Sequence, residues 1–321
     1  MEYTKLVNTD LLVPKMSLGT MTFGGQTEEK ESLKIMEYGF EKGITLFDTA
    51  NIYTDGASET IVAKGIKNKR DQIILASKVG YESGTKLNGV CLTKEAIFSE
   101  IDKSLKRLDT DYVDMYYFHA PDYNTPMEES LEAMAELVEQ GKVRYVAVSN
   151  HAAWQLADMM AICEREGFAK PVMTQNVYNA ITRSLETELV PFLDKHSMGL
   201  SVYNPIAAGL LTGKHKNGPV KNSRLSDNKI YKNRYWSEAN ILSTEKLMEI
   251  AEEAGITILE LAFKWCTANP KVTSIISGVS KLSQLEQNIK AMEGPELSQE
   301  VLEKCDKVWK EHTGNPFGYN R

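Results

Sequence analysis

Short apolar runs recur along the chain, and each is followed by a stretch in which apolar residues have helical spacing. The runs are rich in β-branched and aromatic residues. Most are continuous rather than alternating, which is typical of parallel strands buried on both faces. We predict strands over residues 12–20, 44–49, 73–79, 113–119, 143–150, 172–178, 200–205 and 274–279. Helices are predicted between them, for example over 28–42, 93–108, 126–140, 151–166, 184–196 and 281–292.

Eight strands that alternate with helices predict a (β/α)8 barrel, and a doubly wound open sheet with an added domain is the alternative. No Pro/Ser-rich linker divides the chain, so we expect one domain over residues 1–321. Two segments depart from the alternation. The run KLVNTDLLV predicts an N-terminal β-hairpin with its turn at Asn8-Thr9-Asp10. The long interval after the seventh strand predicts a lid, a binding loop or a variable insertion.

Composition and charge exclude several classes of protein. No run approaches the ~18 apolar residues that a membrane-spanning helix needs. The net charge of −7 argues against general binding to nucleic acid or to anionic membranes. The four cysteines form no CxxC pair, the histidines show no metal-binding spacing, and the N-terminus has no secretory signal. We therefore expect reduced thiols, no metal site and a cytoplasmic location.

Several nucleotide-binding and catalytic motifs are missing from the chain. It contains no Gly-x-Gly, no GxxxxGK[ST] and no GxSxG. These absences exclude the Rossmann fingerprint, the P-loop and the nucleophile elbow. A nucleotide cofactor would have to be held by other means.

Polar residues occupy the predicted carboxyl ends of the strands, where the active site of a (β/α)8 barrel forms. Asp48, Lys78 and His119 each follow an apolar run. A charge at the edge of a buried sheet needs a partner, so we expect Asp48 and Lys78 to form an ion pair. Such a pair could be purely stabilising. The arrival of three such residues at the same end of their strands favours a functional site.

Tyr53 lies on the loop after Asp48 and is a candidate acid. The ordinary pKa of a tyrosine is near 10, but a neighbouring Lys78 ammonium would favour the phenolate and lower that pKa. Asp48 would keep the lysine charged, and His119 could orient a carbonyl oxygen or relay a proton. Together these groups predict a general acid–base centre beside a carbonyl. Taken alone, Tyr53 would be interpreted as a loop aromatic packed on a helix.

The motifs that contain these residues resemble the aldo-keto reductase superfamily over nearly the whole chain. They are FDTANIYTDGASE, SK at 77–78, YFHAPD, LGTMTFGGQ, KVRYVAVSNH, TQNVYN, VYNPIAAGLLTGK and SGVSKLSQLEQN. GTMTFGGQ and NPIAAGLLTGK are most similar to the branch of potassium-channel β-subunits and bacterial general reductases. The resemblance implies a (β/α)8 barrel that reduces carbonyls without a metal. It also implies a nicotinamide cofactor, usually NADPH, with NADH as the alternative.

The resemblance assigns roles to individual residues. Asp48, Tyr53, Lys78 and His119 correspond to the catalytic tetrad, in which Tyr53 donates the proton and His119 orients the carbonyl. Tyr203 would stack on the nicotinamide, and a helix start with free N–H groups near Lys281 would suit the 2′-phosphate. The implied cofactor contacts are Gly19, Thr20, Met21, Gln26, Asp48, Ser149, Asn150, Gln175, Tyr203, Asn204, Pro205, Ile206, Ala207, Gly209, Lys214, Arg224, Gly278, Ser280, Lys281, Gln284, Gln287 and Asn288. Residues 204–209 with Lys214 and Arg224 would form the pyrophosphate clamp.

We therefore predict an enzyme that reduces aldehydes or ketones to alcohols, with a small carbonyl compound as its substrate. Aromatic residues of the strand-end loops and the C-terminal tail are candidates for an apolar-lined substrate pocket: Tyr81, Tyr123, Tyr235, Trp236 and Phe317. The alternative is an NADPH-binding sensor or regulatory subunit with little turnover. His119 favours the enzyme, because the resemblance implies a different residue there in the channel subunits. A metal-dependent hydrolase or a sugar-phosphate isomerase fits this set of residues less well.

Overall fold

Eight parallel strands form a closed barrel in the computed structural model, which describes residues 1–81, 89–216, 218–221 and 223–313. Strands β1 (Tyr3–Lys5) and β2 (Leu12–Pro14) pair antiparallel as the N-terminal hairpin. The barrel strands are β3 (Met16–Gly19), β4 (Leu46–Asp48), β5 (Ile74–Val79), β6 (Val113–Phe118), β7 (Val143–Ser149), β8 (Met173–Val177), β9 (Gly199–Tyr203) and β10 (Val272–Gly278). β10 pairs with both β9 and β3 and so completes the ring. The predicted barrel and hairpin are confirmed.

Helices alternate with these strands through the first part of the chain. They are α1 (Glu29–Glu41), α2 (Ala57–Ile66), α3 (Lys94–Leu108), α4 (Met127–Glu139), α5 (Ala153–Glu166) and α6 (Leu189–His196). The long segment after β9 is largely helical, with α7 (Arg224–Asp227), α8 (Lys229–Tyr235), α9 (Glu238–Glu253) and α10 (Ile258–Ala268). The chain ends in α11 (Leu282–Ala291) and α12 (Gln299–Thr313). Short 3-10 helices lie at Tyr53–Gly56, Arg70–Gln72, Ser184–Glu186 and Ala207–Thr212.

The chain divides into two compact units. The first contains Met1–Asn176, Leu185–Tyr203 and Lys271–Leu285, and the second contains Val177–Ser184, Asn204–Pro270 and Glu286–Arg321. The first unit therefore carries the hairpin, helices α1 to α6 and almost all of the barrel strands. The expectation of one domain over residues 1–321 stays a prediction.

Two predicted elements divide into shorter pieces. The strand predicted over 12–20 breaks at Lys15, because its N–H donates to the Glu2 carbonyl of the hairpin while its own carbonyl accepts from Ile275 of the barrel. The backbone thus changes partner sheets at one residue. The helix predicted over 184–196 starts only at Leu189. Pro191, in the first turn of α6, has no N–H to donate to an earlier residue, and proline is tolerated at such a position.

The hairpin seals the amino-terminal end of the barrel with apolar side chains. Leu6, Leu11 and Val13 are buried in one cluster with residues of the barrel interior, including Met115 and Met173. Gly199, the first residue of β9, makes room for this seal: a Cβ there would lie 2.5 Å from Leu6 Cδ1.

A chain of ions and hydrogen bonds ties the hairpin turn to the barrel. Asp10 contacts Arg144 at 2.6 Å, and Arg144 also pairs with the buried Asp114 at 2.7 Å. The hydrogen bond from Tyr145, followed by the contact with Arg144, holds the pKa of the Asp10 carboxyl below its usual value. The ion pair of Asp10 with Arg144 and the buried cluster of hairpin side chains therefore anchor the same hairpin.

Replacing Leu11 with alanine tests this seal. Leu11 is 5% exposed, so Leu11→Ala should lower the free energy of unfolding by about 2–4 kcal/mol through lost burial and a residual cavity. The neighbouring Leu12 is 58% exposed, and Leu12→Ala should stay within about 0.5 kcal/mol of the parent chain. Denaturant unfolding followed by circular dichroism measures both. Equal losses in the two variants would show that the hairpin does not plug the barrel.

Candidate active site

Four predicted site residues meet at the carboxyl end of β4, β5 and β6. Lys78 donates to Asp48 Oδ1 at 2.6 Å, to the Thr49 carbonyl at 2.8 Å and to the Tyr53 hydroxyl at 3.3 Å. His119 follows β6 directly, and its ring meets the Tyr53 ring edge-on with centroids 5.8 Å apart. The ion pair that the sequence predicts between Asp48 and Lys78 is present, and the lysine side chain is fully buried.

The lysine stays charged although it is buried. Burial alone would lower the pKa of Lys78, but the Asp48 carboxylate and then Tyr53 raise it, and the net pKa lies above its ordinary value. The ammonium thus has three acceptors around it, and one of them is the phenol oxygen of Tyr53. A fixed positive charge at this distance favours the phenolate form of a tyrosine.

The pKa of His119, unlike that of Lys78, lies below its ordinary value. Burial, and secondarily the positive charge of Lys78, lower the pKa of His119 to about 3. The imidazole is therefore neutral near pH 7. Its buried Nδ1 has no hydrogen-bond partner among the described residues. The Tyr81 ring also meets His119 edge-on, with centroids 5.3 Å apart, so the imidazole lies against two tyrosines.

The loop that carries Tyr53 is held in an uncommon backbone conformation. Thr54, Asp55 and Gly56 all have positive φ, and a Cβ on Gly56 would lie 2.7 Å from Arg107 Cδ. Arg107 in turn donates to Glu59 Oε2 at 2.7 Å. The close approach of Arg107 explains why glycine occupies position 56.

Glu59 joins this loop to the strand that bears Lys78. It is fully buried in the first turn of α2, and its second oxygen, Oε1, accepts from Ser77 Oγ at 2.5 Å. Ser77 is the residue before Lys78. A buried carboxylate with two strong donors thereby fixes both the Tyr53 loop and β5. The GASE portion of the motif supplies these contacts, which the sequence analysis did not foresee.

Asn51 links the loop to a third element. Its amide donates to the Tyr81 carbonyl and to Glu100 Oε2 of α3, each at 2.6 Å. Tyr81 is the residue whose ring packs on His119. The Asn51 amide therefore connects the loop after β4 to the segment that lines one side of the imidazole. No motif in the sequence indicated this contact.

Predicted cofactor residues of the first unit extend from the same centre. Gln175 donates to Asp48 Oδ2 at 2.8 Å, so both carboxylate oxygens of Asp48 have donors. Asn150 donates to the His119 carbonyl at 3.0 Å and accepts from the Tyr203 hydroxyl at 2.7 Å. Ser149 Oγ donates to the Gln175 carbonyl at 2.9 Å. Gln175, Asn150, Ser149 and Tyr203 are thus brought together with the predicted tetrad.

The loop after β3 contains exposed and buried members of the predicted set. Gly19 pairs with Gly278, and a Cβ on Gly19 would lie 2.7 Å from Ile276. Met21 and Gln26 are exposed. Thr20 is fully buried, where its hydroxyl donates to the Asp48 carbonyl at 3.1 Å. The side chain of Thr20 thus stabilises the barrel rim.

The start of α11 differs from its expected form. The Leu282 N–H donates to Glu31 Oε1 at 2.8 Å, and the Ser280 N–H donates to Gln284 Oε1 at 2.8 Å. The prediction of free N–H groups at this helix start is therefore wrong for these two groups, because side chains already cap them. Lys281 is exposed beside them.

The second unit holds the remaining predicted contacts. Residues 204–209 form a tight loop in which Asn204, Ala207, Ala208 and Gly209 have positive φ. Asn204 is buried, and its Nδ2 has no hydrogen-bond partner among the described residues. The Lys214 ammonium lies near Gly209: a Cβ there would be 3.2 Å from Nζ. Gln287 is exposed and Asn288 is buried.

Two predicted site residues fall wholly or partly outside the described part of the chain. The side chain of Arg224 and the whole of Phe317 lie outside the described residues. Of the other predicted pocket aromatics, Tyr123 is 79% exposed and Tyr235 is 1% exposed. Tyr235 is therefore part of the interior of the second unit, and Tyr123 lies on the surface of the first.

Comparison with known proteins gives the family of the chain. The sequence profile described as the aldo/keto reductase family matches residues 15–310.

The chain belongs to the aldo/keto reductase family. This aldo/keto reductase is 34% identical to a probable voltage-gated potassium channel subunit beta of Arabidopsis thaliana, over 99% of this chain and 100% of the relative. It is 34% identical to human aflatoxin B1 aldehyde reductase member 2, over 91% of this chain and 85% of the relative. It is 35% identical to an uncharacterized oxidoreductase, YrpG, of Bacillus subtilis (strain 168), over 96% of each chain. The branch predicted from the sequence is confirmed, and the relatives support an oxidoreductase.

No described helix of this aldo/keto reductase combines the length and the apolar character that a membrane span requires. Within the same residues, His, Cys, Asp and Glu side chains form no group that could hold a metal ion.

The protonation state of His119 can be measured directly. Because its pKa is lowered to about 3, the imidazole should stay neutral from pH 8 down to about pH 5. His151, whose pKa burial lowers to about 4, should behave similarly. The unfolded chain binds these protons near pH 6.5, so the free energy of unfolding should fall as the pH drops below that value. Nitrogen-15 chemical shifts of the two imidazoles report the titration. A midpoint near pH 6.5 for His119 would contradict the buried, lysine-facing environment.

Proposed function

We propose that this aldo/keto reductase reduces aldehydes or ketones to alcohols with NADPH, and that Tyr53 donates the proton. The observation that carries the proposal is the hydrogen bond from the buried Lys78 ammonium to the Tyr53 hydroxyl at 3.3 Å, with Asp48 on the other side of the lysine. A phenol is a weak acid at neutral pH, and this contact is the one that makes it a better proton donor.

Each unit, taken by itself, carries groups that suit one part of a dinucleotide. In the second unit, the orphaned buried Nδ2 of Asn204 and the Lys214 ammonium beside Gly209 offer a donor and a positive charge to an anion. In the first unit, Gln175, Asn150 and Ser149 present amide and hydroxyl groups at the barrel rim, and Tyr203 presents an aromatic ring. When bound, the reduced nicotinamide would supply the hydride. These residues are proposed to hold it.

Each member of the tetrad has a separate task in the proposed reaction. The Tyr53 hydroxyl donates its proton to the carbonyl oxygen as negative charge develops there. Lys78 stabilises the phenolate that remains, and Asp48 with the Thr49 carbonyl holds the lysine in place. Neutral His119 can donate one imidazole N–H to the same oxygen and orient it. After the alcohol leaves, Tyr53 regains its proton from solvent.

A second candidate function is favoured by one specific observation. The alignment with a probable channel subunit beta, at 34% identity, covers the full length of that relative. The chain could therefore bind NADPH and act as a regulatory subunit with little turnover. Absorbance at the NADPH band, followed with a panel of aldehydes and ketones, distinguishes the two. Steady cofactor oxidation supports the reductase, whereas tight binding without turnover supports the regulatory role.

Replacing Tyr53 with phenylalanine tests the proton donor. Tyr53→Phe should lower the turnover number by about 10²- to 10⁴-fold, the usual contribution of a general acid. NADPH affinity should stay nearly unchanged, because the change removes only the hydroxyl oxygen. Tyr38→Phe, on the half-buried face of α1, is the matched control and should keep normal turnover. If Tyr53→Phe retained near-normal turnover, Tyr53 would not be the acid.

Lys281→Ala tests the preference for NADPH over NADH. If the exposed ammonium contacts the 2′-phosphate, the dissociation constant of NADPH should rise by up to about fivefold, the upper end for an exposed ion pair, while that of NADH hardly changes. Lys290→Ala, in the last turn of the same helix, serves as the control. Fluorescence titration with each cofactor gives the dissociation constants of both variants relative to those of the parent. An unchanged ratio in Lys281→Ala would remove this lysine from the phosphate contact.

A further inference from the structure

His215 is buried beside the loop that we assign to the pyrophosphate, although the family resemblance implies no role for it. It follows Lys214 in the second unit and is 2% exposed. The polar atoms of a side chain that is buried this completely usually have hydrogen-bond partners. The arrangement around its two nitrogens indicates which ligand it could serve.

The hydrogen bonds of His215 determine which nitrogen carries the proton. The Val220 N–H donates to Nδ1 at 3.1 Å, so Nδ1 is an acceptor and the proton of the neutral ring lies on Nε2. Burial, and then the positive charge of Lys214, lower the pKa of His215 below its ordinary value, although a backbone hydrogen bond with Gly218 raises it in part. Nε2–H is thus a buried donor, and it has no acceptor among the described residues.

This donor lies close to Gly209. A Cβ built on Gly209 would lie 3.5 Å from His215 Nε2 and 3.2 Å from Lys214 Nζ. His215 Nε2 and the Lys214 ammonium therefore both lie next to Gly209, where any larger residue would crowd them. The Asn204 Nδ2 of the same loop is likewise buried without a partner in the described part of the chain. One orphaned N–H donor and an ammonium beside Gly209, with a second orphaned donor elsewhere in the same loop, are complementary to an anion.

We propose that the Nε2–H of His215 is a further hydrogen-bond donor to the pyrophosphate of the dinucleotide cofactor, acting together with Lys214. The inference rests on the proposed use of NADPH. The two residues would contribute differently, because the lysine supplies charge and the neutral imidazole supplies a directed hydrogen bond. A neutral donor also avoids placing a second positive charge against Lys214.

Packing alone is the competing explanation for His215. Its ring meets the Trp236 ring edge-on with centroids 6.3 Å apart, and it lines a small apolar cavity with Leu210, Ile241 and Met248. A purely packed imidazole would tolerate replacement by an apolar side chain of similar size without any loss of cofactor affinity. The two explanations therefore give different binding results.

Three variants separate the donor from the packing. His215→Leu keeps an apolar volume but removes the N–H, and NADPH affinity should fall about tenfold, equivalent to about 1.4 kcal/mol. His215→Gln retains an N–H donor and should recover most of that loss. Lys216→Gln, at the exposed neighbouring position, controls for loop charge and should bind nearly as the parent does. Dissociation constants come from NADPH fluorescence at fixed ionic strength, with thermal unfolding of the free proteins as the check on folding.

A second measurement uses the unaltered protein and is decisive even if His215→Leu does not fold. In protein labelled with nitrogen-15 histidine, the Nε2–H resonance of His215 should shift when NADPH binds. Reduced nicotinamide mononucleotide lacks the pyrophosphate bridge, and it should shift this resonance much less. Equal affinity in a folded His215→Leu, or no NADPH-specific shift, would overturn the inference.

The failure of this inference is distinguishable from the failure of the proposed function. A parent chain that binds and oxidises NADPH while His215→Leu binds it equally well would refute only the role of His215. A parent chain that does not bind NADPH would refute the proposed function and this inference with it.

Discussion

The ammonium of Lys78 is the constraint on which the rest of the site depends. A lysine with no exposed surface at the rim of a parallel barrel is unfavourable unless an opposite charge and further acceptors surround it. Asp48 and the Thr49 carbonyl meet that requirement from the adjacent strand and its loop. Removing one partner of such a buried pair costs about 3–5 kcal/mol, because the other charge is left uncompensated. The same ammonium makes its third contact with a phenol, so the groups that stabilise the charge also bring Tyr53 into position.

Further hydrogen bonds restrict the positions of Lys78 and Asp48. Glu59 holds Ser77, the neighbour of Lys78, and Arg107, which packs against Gly56 in the Tyr53 loop. Gln175 occupies the second oxygen of Asp48, so the carboxylate has little freedom to rotate. The positive φ values of Thr54 and Asp55 cost free energy in an isolated loop and persist because these contacts over-determine the conformation.

Some of this architecture could be predicted from the sequence, and the reasons are physical. Asp48, Lys78 and His119 follow continuous apolar runs, and parallel strands place their carboxyl ends at one rim, so periodicity alone brings these three together. The ion pair follows from the cost of burying a lone charge. The contact of Glu59 with Arg107 joins residues 48 positions apart, and no periodicity encodes such a pairing. Glu31 caps the start of α11 from 251 positions away, and no periodicity encodes this contact either. The break between β2 and β3 at Lys15 is not visible in the sequence, because both strands are apolar. Only the hydrogen-bond partners of Lys15 reveal the change of sheet.

Two buried titratable groups at this rim have pKa values shifted in opposite directions, and the difference explains the proposed division of labour. Burial penalises the charged form of both Lys78 and His119. The pKa of Lys78 nevertheless lies above its ordinary value, because a carboxylate touches it. The pKa of His119 falls, because burial and secondarily the positive charge of Lys78 both disfavour the imidazolium. Groups whose pKa values are driven apart in this way can hold different protonation states at one pH. Tyr53 lies between them, with its hydroxyl on the ammonium and its ring against the imidazole. A charged group that stabilises the phenolate and a neutral group that can orient an oxygen are what a phenol needs to act as an acid toward a carbonyl.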